Sequence, residues 1–180
     1  MIPFSTFTER SQAILRMLPA YSVILFLYIL GIVSVSYPLT GAFKAPFFLM
    51  ALYYWSIYRP TLLPRWLVFV LGCVTDFLSG FPIGVHAFLY LLVQWITGEQ
   101  RKFLTAQPFI MLWLGFLIVS LSFFGLQWGF FSLIDLALHP IIPMLTAALF
   151  GAALFPFVCI ILHFTHKFLP GRAFQLRMRG

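Results

Sequence analysis

Three long stretches of this sequence contain no Lys, Arg, Asp or Glu: residues 17–43, 103–134 and 136–166. At 27, 32 and 31 residues they exceed the roughly 20 needed to cross a bilayer as a helix. A soluble globule carries about 25% charge. Here charged residues are 8% of 180, against 62% hydrophobic, and mean hydropathy is +1.02. Fifteen charged side chains cannot cover a soluble surface of this size. The chain therefore reads as an all-α integral membrane protein, and a soluble enzyme, a DNA-binding domain and a disordered linker are excluded.

The net charge of +7 does not point to nucleic acid. The basic residues stand in small groups between apolar runs, as anchors beside a membrane do, and form no stripe with interleaved aromatics. Cys73 and Cys159 both lie within apolar segments, with no CxxC and no Cys/His cluster. They read as small apolar side chains rather than a disulfide or zinc frame. Arg10 and Arg16 precede the first apolar run, and Ser34-Val-Ser36 loosely resembles a cleavage site, but the run is longer than a signal peptide's 7–15-residue apolar region. The segment is expected to stay as a span.

Six spans are expected: Met17–Tyr37, Ala45–Tyr58, Thr61–Ser79, Ile83–Thr97, Pro108–Trp128 and Ile141–Phe164. Pro64 is tolerable in a first helical turn, and Ser79-Gly80-Phe81-Pro82 marks a tight turn. The second span is short and reads either as a crossing or as a re-entrant segment. Charge favours a crossing. With six spans one side holds Arg10, Arg16, Arg59, Arg65, Arg101, Lys102, Lys167, Arg172, Arg177 and Arg179, ten basic residues against Lys44 alone on the other. The positive-inside rule makes the richer side cytoplasmic. The expected organisation is one membrane domain: a cytoplasmic segment 1–16, a six-span bundle 17–166 with both termini cytoplasmic, and a basic tail 167–180. Tyr54, Trp55, Tyr58, Trp66 and Trp95 fall at cytoplasmic span ends, as expected for an aromatic belt at headgroup level, with core packing the alternative for any single ring. The tail's four basic residues suit anionic lipid, at about 1 kcal/mol each, or a specific protein contact.

Asp76 is the one acid inside an apolar span, which costs about 2.5–3.5 kcal/mol near mid-helix and makes it a functional candidate. Gly72, Asp76 and Gly80 recur at four-residue spacing and so share a helix face, where small residues admit a neighbouring helix closely. The face reads as a tight helix contact with a polar anchor. A transport relay needs further acids in neighbouring spans, and Asp135 falls in an external loop. His86 lies at similar depth across the Gly80–Pro82 turn, so it either pairs with Asp76 or bonds a backbone carbonyl or water. His139 and Asp135 are too few for a metal cage, and His163 and His166 read as interface residues. The sequence contains no P-loop, GxSxG or HExxH motif and no paired carboxylates; no catalytic, cofactor or metal residue is expected.

The stretch from Tyr53 to Gln94, YYWSIYRPTLLPRWLVFVLGCVTDFLSGFPIGVHAFLYLLVQ, resembles the rod shape-determining protein MreD family. The resemblance lies in a short aromatic span, Arg59-Pro60, a helix with Gly72 and Asp76, and a turn with Ser79-Gly80, Pro82 and Gly84. The first span and everything after Lys102 match only in hydropathy. The resemblance implies a non-enzymatic scaffold of the bacterial inner membrane, pairing with the bitopic MreC and working with the MreB filament, RodA and its transpeptidase to place lateral peptidoglycan synthesis. It also implies a fold similar to the substrate-binding subunits of energy-coupling-factor vitamin transporters. A solute-binding transporter subunit is the alternative function. It requires a polar-lined pocket, and the spans offer little beyond Ser, Thr, Gln94, Gln127 and Asp76. The Gly72/Asp76/Gly80 face is expected either to dock a partner helix or to shape the hairpin that presents the docking surface.

Overall fold

A computed structural model describes residues 18–32, 45–80, 82–136 and 140–167, with side chains described to residue 165. Arg10, Arg16, Lys44, His139, Arg172, Arg177 and Arg179 lie outside the described residues, as do the side chains of His166 and Lys167. All regular structure among the described residues is helical: α1 (Leu18–Ile32), α2 (Phe47–Tyr58), α3 (Arg65–Ser79), α4 (Val85–Glu99), the single turn α5 (Arg101–Leu104), α6 (Phe109–Ile134) and α7 (Ile142–Lys167).

The helices alternate in direction. Gly31, Ile32, Pro46, Phe47 and Ser79 meet around one cleft, so α1 ends, α2 begins and α3 ends at the same pole. Ser56, Pro64, Arg65, Glu99 and Arg101 meet at the other, where α2 ends, α3 begins and α4 ends. On the long pair, Trp113 meets Ala152 while Ser120 meets Ala148, so α6 and α7 run antiparallel. We refer to these ends as the hairpin pole and the basic pole.

Among the described residues, only α6 and α7 are long and apolar enough to cross a membrane unaided. At 26 residues each they extend roughly 39 Å. The third element is shorter than its expected span, whereas α4 has the expected 15 residues and begins two residues later, at Val85. Pro64 is extended, at ψ 149°, so α3 starts at Arg65 rather than Thr61 and has 15 residues, or roughly 22 Å.

The weakest of the expected spans is the centre of the structure. Ten of the twelve residues of α2 are buried, because it is apolar on every side and the other helices enclose it. Tyr54 and Trp55, expected at headgroup level, are among them; Trp66 and Trp95, at 68% and 57% exposed, keep the outward position expected of the belt. Arg59, expected as a cytoplasmic anchor, lies at the basic pole. It follows directly on α2 and is buried at 6% exposure. Around α2, Tyr53 packs edge-on against Phe116 and Phe155, which stack with centroids 4.3 Å apart, joining α2 to α6 and α7.

Inward faces are recognisable by polarity and small size rather than by hydrophobicity. On α3 the buried set is Val68, Gly72, Thr75 and Asp76; on α4 it includes His86, Ala87, Tyr90, Gln94 and Thr97. The outward stripe of α3 is Trp66, Phe69, Val70, Val74, Phe77 and Leu78. Backbone groups lost to proline find substitutes. Pro156 within α7 has no N–H for the carbonyl of Ala152, one turn earlier, and the Trp113 indole donates to that oxygen at 2.8 Å.

Candidate functional site

The candidate residues converge on the α3–α4 hairpin. α3 stops at Gly80, whose φ of +69° is the left-handed conformation that closes a helix; its N–H reaches the carbonyls of Asp76 and Phe77. The chain turns through the exposed Pro82, whose carbonyl accepts from Val85 N–H at 3.4 Å, and Gly84, at φ +111°, begins α4. Gly84 brings no side-chain oxygen to cap the new helix, so its first amides need an acceptor from elsewhere.

Asp76 supplies it from across the hairpin. Its carboxylate is fully buried; Oδ2 accepts Gly84 N–H at 2.8 Å and Oδ1 accepts His86 N–H at 3.0 Å. The His86 ring adds a third bond, Nδ1 to Oδ1 at 2.7 Å. A negative charge at a helix N-terminus is favourable for its dipole as well as for its amides. Because the carboxylate accepts, Nδ1 carries a proton toward it, and Nε2 faces the Gln127 amide nitrogen at 3.3 Å. One carboxylate thus holds α3 to α4, and the imidazole carries the chain of bonds on to α6.

The close approach comes from Gly72. A Cβ there would lie 2.3 Å from Ala87 Cα and 2.7 Å from Ala87 N, so the backbones of α3 and α4 touch at this point. The face of Gly72 and Asp76 is therefore occupied by the protein's own α4. Gly80 plays a different part from the one its spacing suggested, since no atom lies within 4 Å of a Cβ there and the position needs glycine for its φ. On the other flank of α3, the hydroxyls of Tyr28 and Thr75 both donate to Leu71 O, at 2.7 and 2.9 Å, tying in α1.

Above this cluster, at the hairpin pole, is a cleft of about 70 Å³ lined by Tyr28, Thr75, Ser79, His86 and Gln127 among apolar neighbours. That holds two or three waters at roughly 30 Å³ each. Asp76 and His86 give two potential metal ligands, and among the described residues no third His, Cys, Asp or Glu joins them. With the carboxylate dry and each ring nitrogen engaged, the cluster acts as a clasp.

Of the expected anchors, Arg65 and Lys102 are exposed at the basic pole, and the half-buried Arg101 donates from Nε to Ile57 O at 2.7 Å, closing the end of α2. Two participants escaped the sequence reading: Tyr28, hidden in a run of apolar residues, and Gln127, which is as unusual in an uncharged run as an acid but was not linked to the pair. The rod shape-determining protein MreD family matches the chain over residues 11–168 of 180. The chain belongs to the MreD family. The match extends well beyond the hairpin, taking in α1, α6 and α7, where the sequence offered only hydropathy. MreD is a shape-determining family of membrane-associated proteins rather than an enzyme family. No curated protein and no solved structure matches the chain.

Proposed function

We propose that this MreD-family chain is a non-enzymatic scaffold of the bacterial cell-elongation machinery, seated in the inner membrane by six crossings with both ends cytoplasmic. The family match over residues 11–168 carries this reading. The alternating helix directions and the ten-to-one distribution of basic residues support the topology. The short α3 and α4 cross with the help of flanking apolar residues and local thinning of the bilayer.

As a scaffold, the protein binds the single transmembrane helix of MreC, and through that complex works with MreB, RodA and its transpeptidase to place lateral peptidoglycan synthesis. The docking surface is the outward stripe of α3, from Trp66 to Leu78. Helix association within lipid depends on packing and a few polar bonds rather than on expulsion of water, so a rigid surface is an advantage, and the Asp76 clasp fixes α3 from behind. At the hairpin pole, the external side in this topology, the cleft formed by the described residues is about 70 Å³, short of the roughly 300–1,000 Å³ of ligand pockets, which favours this reading over a transporter subunit that captures a vitamin from outside.

The test is site-specific photocrosslinking in growing cells. Crosslinkers at Val70 and Val74 are expected to capture MreC, and crosslinkers at Ile118 and Leu126 on α6 are not. Capture from α6 alone moves the surface; no capture of MreC from any outward position, with normal protein levels, refutes the partnership.

A further inference from the structure

We infer that a single proton latches α6 to the α3–α4 hairpin. His86 is an imidazolium: its Nδ1–H donates to Asp76 and its Nε2–H donates to the side-chain oxygen of Gln127. Losing the second of these protons to the external side releases α6.

Two unmet demands converge on this ring. Asp76 carries a fully buried carboxylate whose partners are two backbone amides and the imidazole. With a neutral ring the cluster would hold a net negative charge where burying one is costly. The second demand comes from α6. Gln127 turns its Nε2 toward His86 Nε2 at 3.3 Å, and its Oε1 is buried with no hydrogen-bond partner among the described residues. That oxygen is enclosed by protein atoms, so solvent does not supply its donor.

One proton on His86 Nε2 meets both. It brings the charge of the cluster to zero, and a half-turn of the Gln127 amide exchanges its two ends so that Oε1 accepts the new N–H. The bond is then charge-assisted and stronger than a neutral one. The amide thus has two settings, oxygen toward a charged ring and nitrogen toward a neutral one. Tyr90 and Phe123 stand 6.0 and 6.2 Å from the imidazole, about the reach over which aromatic rings attract a cation. Among the described residues, the titratable groups facing His86 or its cleft are Asp76 from α3, Tyr28 from α1 and Tyr90 from α4 itself. From α2 and α6 come Phe48, Phe123 and Gln127, which do not titrate. Tyrosines are neutral below their ordinary range near pH 10, so Asp76 supplies the charge that acts on the ring.

The proton also has a route. His86 and Gln127 both line the cleft at the hairpin pole, which has room for two or three waters and faces the external side in the proposed topology. The hold of α6 on the hairpin, and so on the docking helix α3, follows the external proton concentration: firm while the ring is charged, loose once alkali discharges it.

The test uses the full chain in lipid nanodiscs, labelled with nitrogen-15 at histidine, with His139, His163 and His166 each replaced by Gln so that the signal comes from His86. At pH 7 nuclear magnetic resonance should show the doubly protonated ring in about tenfold excess over the singly protonated one, the reverse of a free imidazole, which is mostly neutral there. Gln127→Leu should cut that excess about tenfold, the worth of a bond to a charged group. Gln127→Glu, whose carboxylate only accepts, should keep it. Spin labels at the exposed Phe88 and Leu126 report the hold of α6. They are attached through Phe88→Cys and Leu126→Cys after Cys73→Ala and Cys159→Ala. Their separation should be narrowly distributed at pH 7 and broaden over the same pH interval in which alkali removes the Nε2 proton. A bare Nε2 at pH 7, an excess indifferent to Gln127→Leu, or a separation unchanged when the ring discharges overturns the inference. The latch is a property of the chain itself, and only the side its proton comes from rests on the proposed topology. Its failure leaves the crosslinking test of the scaffold unaffected.

Discussion

Replacing Asp76 by Ala should be the most damaging single substitution in the α3–α4 hairpin, and by more than the loss of its histidine partner. The carboxylate accepts three bonds, two from backbone amides and one from the imidazole. Hydrogen bonds inside membrane proteins contribute about 0.6 kcal/mol on average and up to about 1.7, so three amount to about 2–5 kcal/mol. His86→Ala removes only one of them, together with the contact to Gln127, and leaves Gly84 and His86 N–H still capped. Asp76→Ala should therefore exceed His86→Ala by about 1–3 kcal/mol, the difference being the two stranded amides. Asp76→Asn should fall between, since an amide presents one acceptor and turns an N–H toward a donor. Reversible unfolding in micelles, run on both single variants and the double, supplies the numbers. Equal losses from the two single variants, with no further loss in the double, refute the remote cap. The carboxylate would then matter only through the ring.

Gly72→Ala should destabilise by about 1–3 kcal/mol, and Ala87→Gly should not rescue it, because the clash is with the Ala87 backbone; recovery in the same unfolding assay refutes the contact. Gly115→Ala places a Cβ 2.5 Å from the Tyr53 hydroxyl, so Tyr53→Phe should restore stability to that variant while costing about 1 kcal/mol in the parent through its lost bond to Leu112 O. Gly80→Ala should cost about 1–2 kcal/mol from φ alone and Gly80→Asn less, with thermal midpoints giving the order.

Inward-facing positions are legible in this sequence where polarity is costly and illegible where it is absent. Asp76 and His86 lie at equal depth because a turn of fixed length sets the register of two antiparallel helices; depth alone leaves open whether they bond, and the structure joins them at 2.7 Å. The amides of Gly84 and His86 are not legible, since backbone donors do not show in side-chain patterns; a helix beginning with glycine is the one signal of them. Position along the chain leaves Tyr54 and Trp55 open between the headgroup level and the core, and places Arg59 among the cytoplasmic anchors; all three are buried. In lipid, outward and inward faces are both apolar, so hydrophobicity alone cannot tell the enclosed α2 from a helix bathed in acyl chains. The spacing of Gly72 points to a close approach, and a Cβ there would meet the Ala87 backbone, but spacing does not say which helix approaches. Here it is α4, and a separate partner has no access to it.

The enclosure of α2 has a consequence for biogenesis. At 12 residues, roughly 18 Å, it is too short to lodge alone in a bilayer. It leaves the ribosome well before α6 and α7, the helices that close around Tyr53. A nascent chain halted after the hairpin would hold its most aromatic segment with one side uncovered, and so the last third of the polypeptide must be made before the first third can settle.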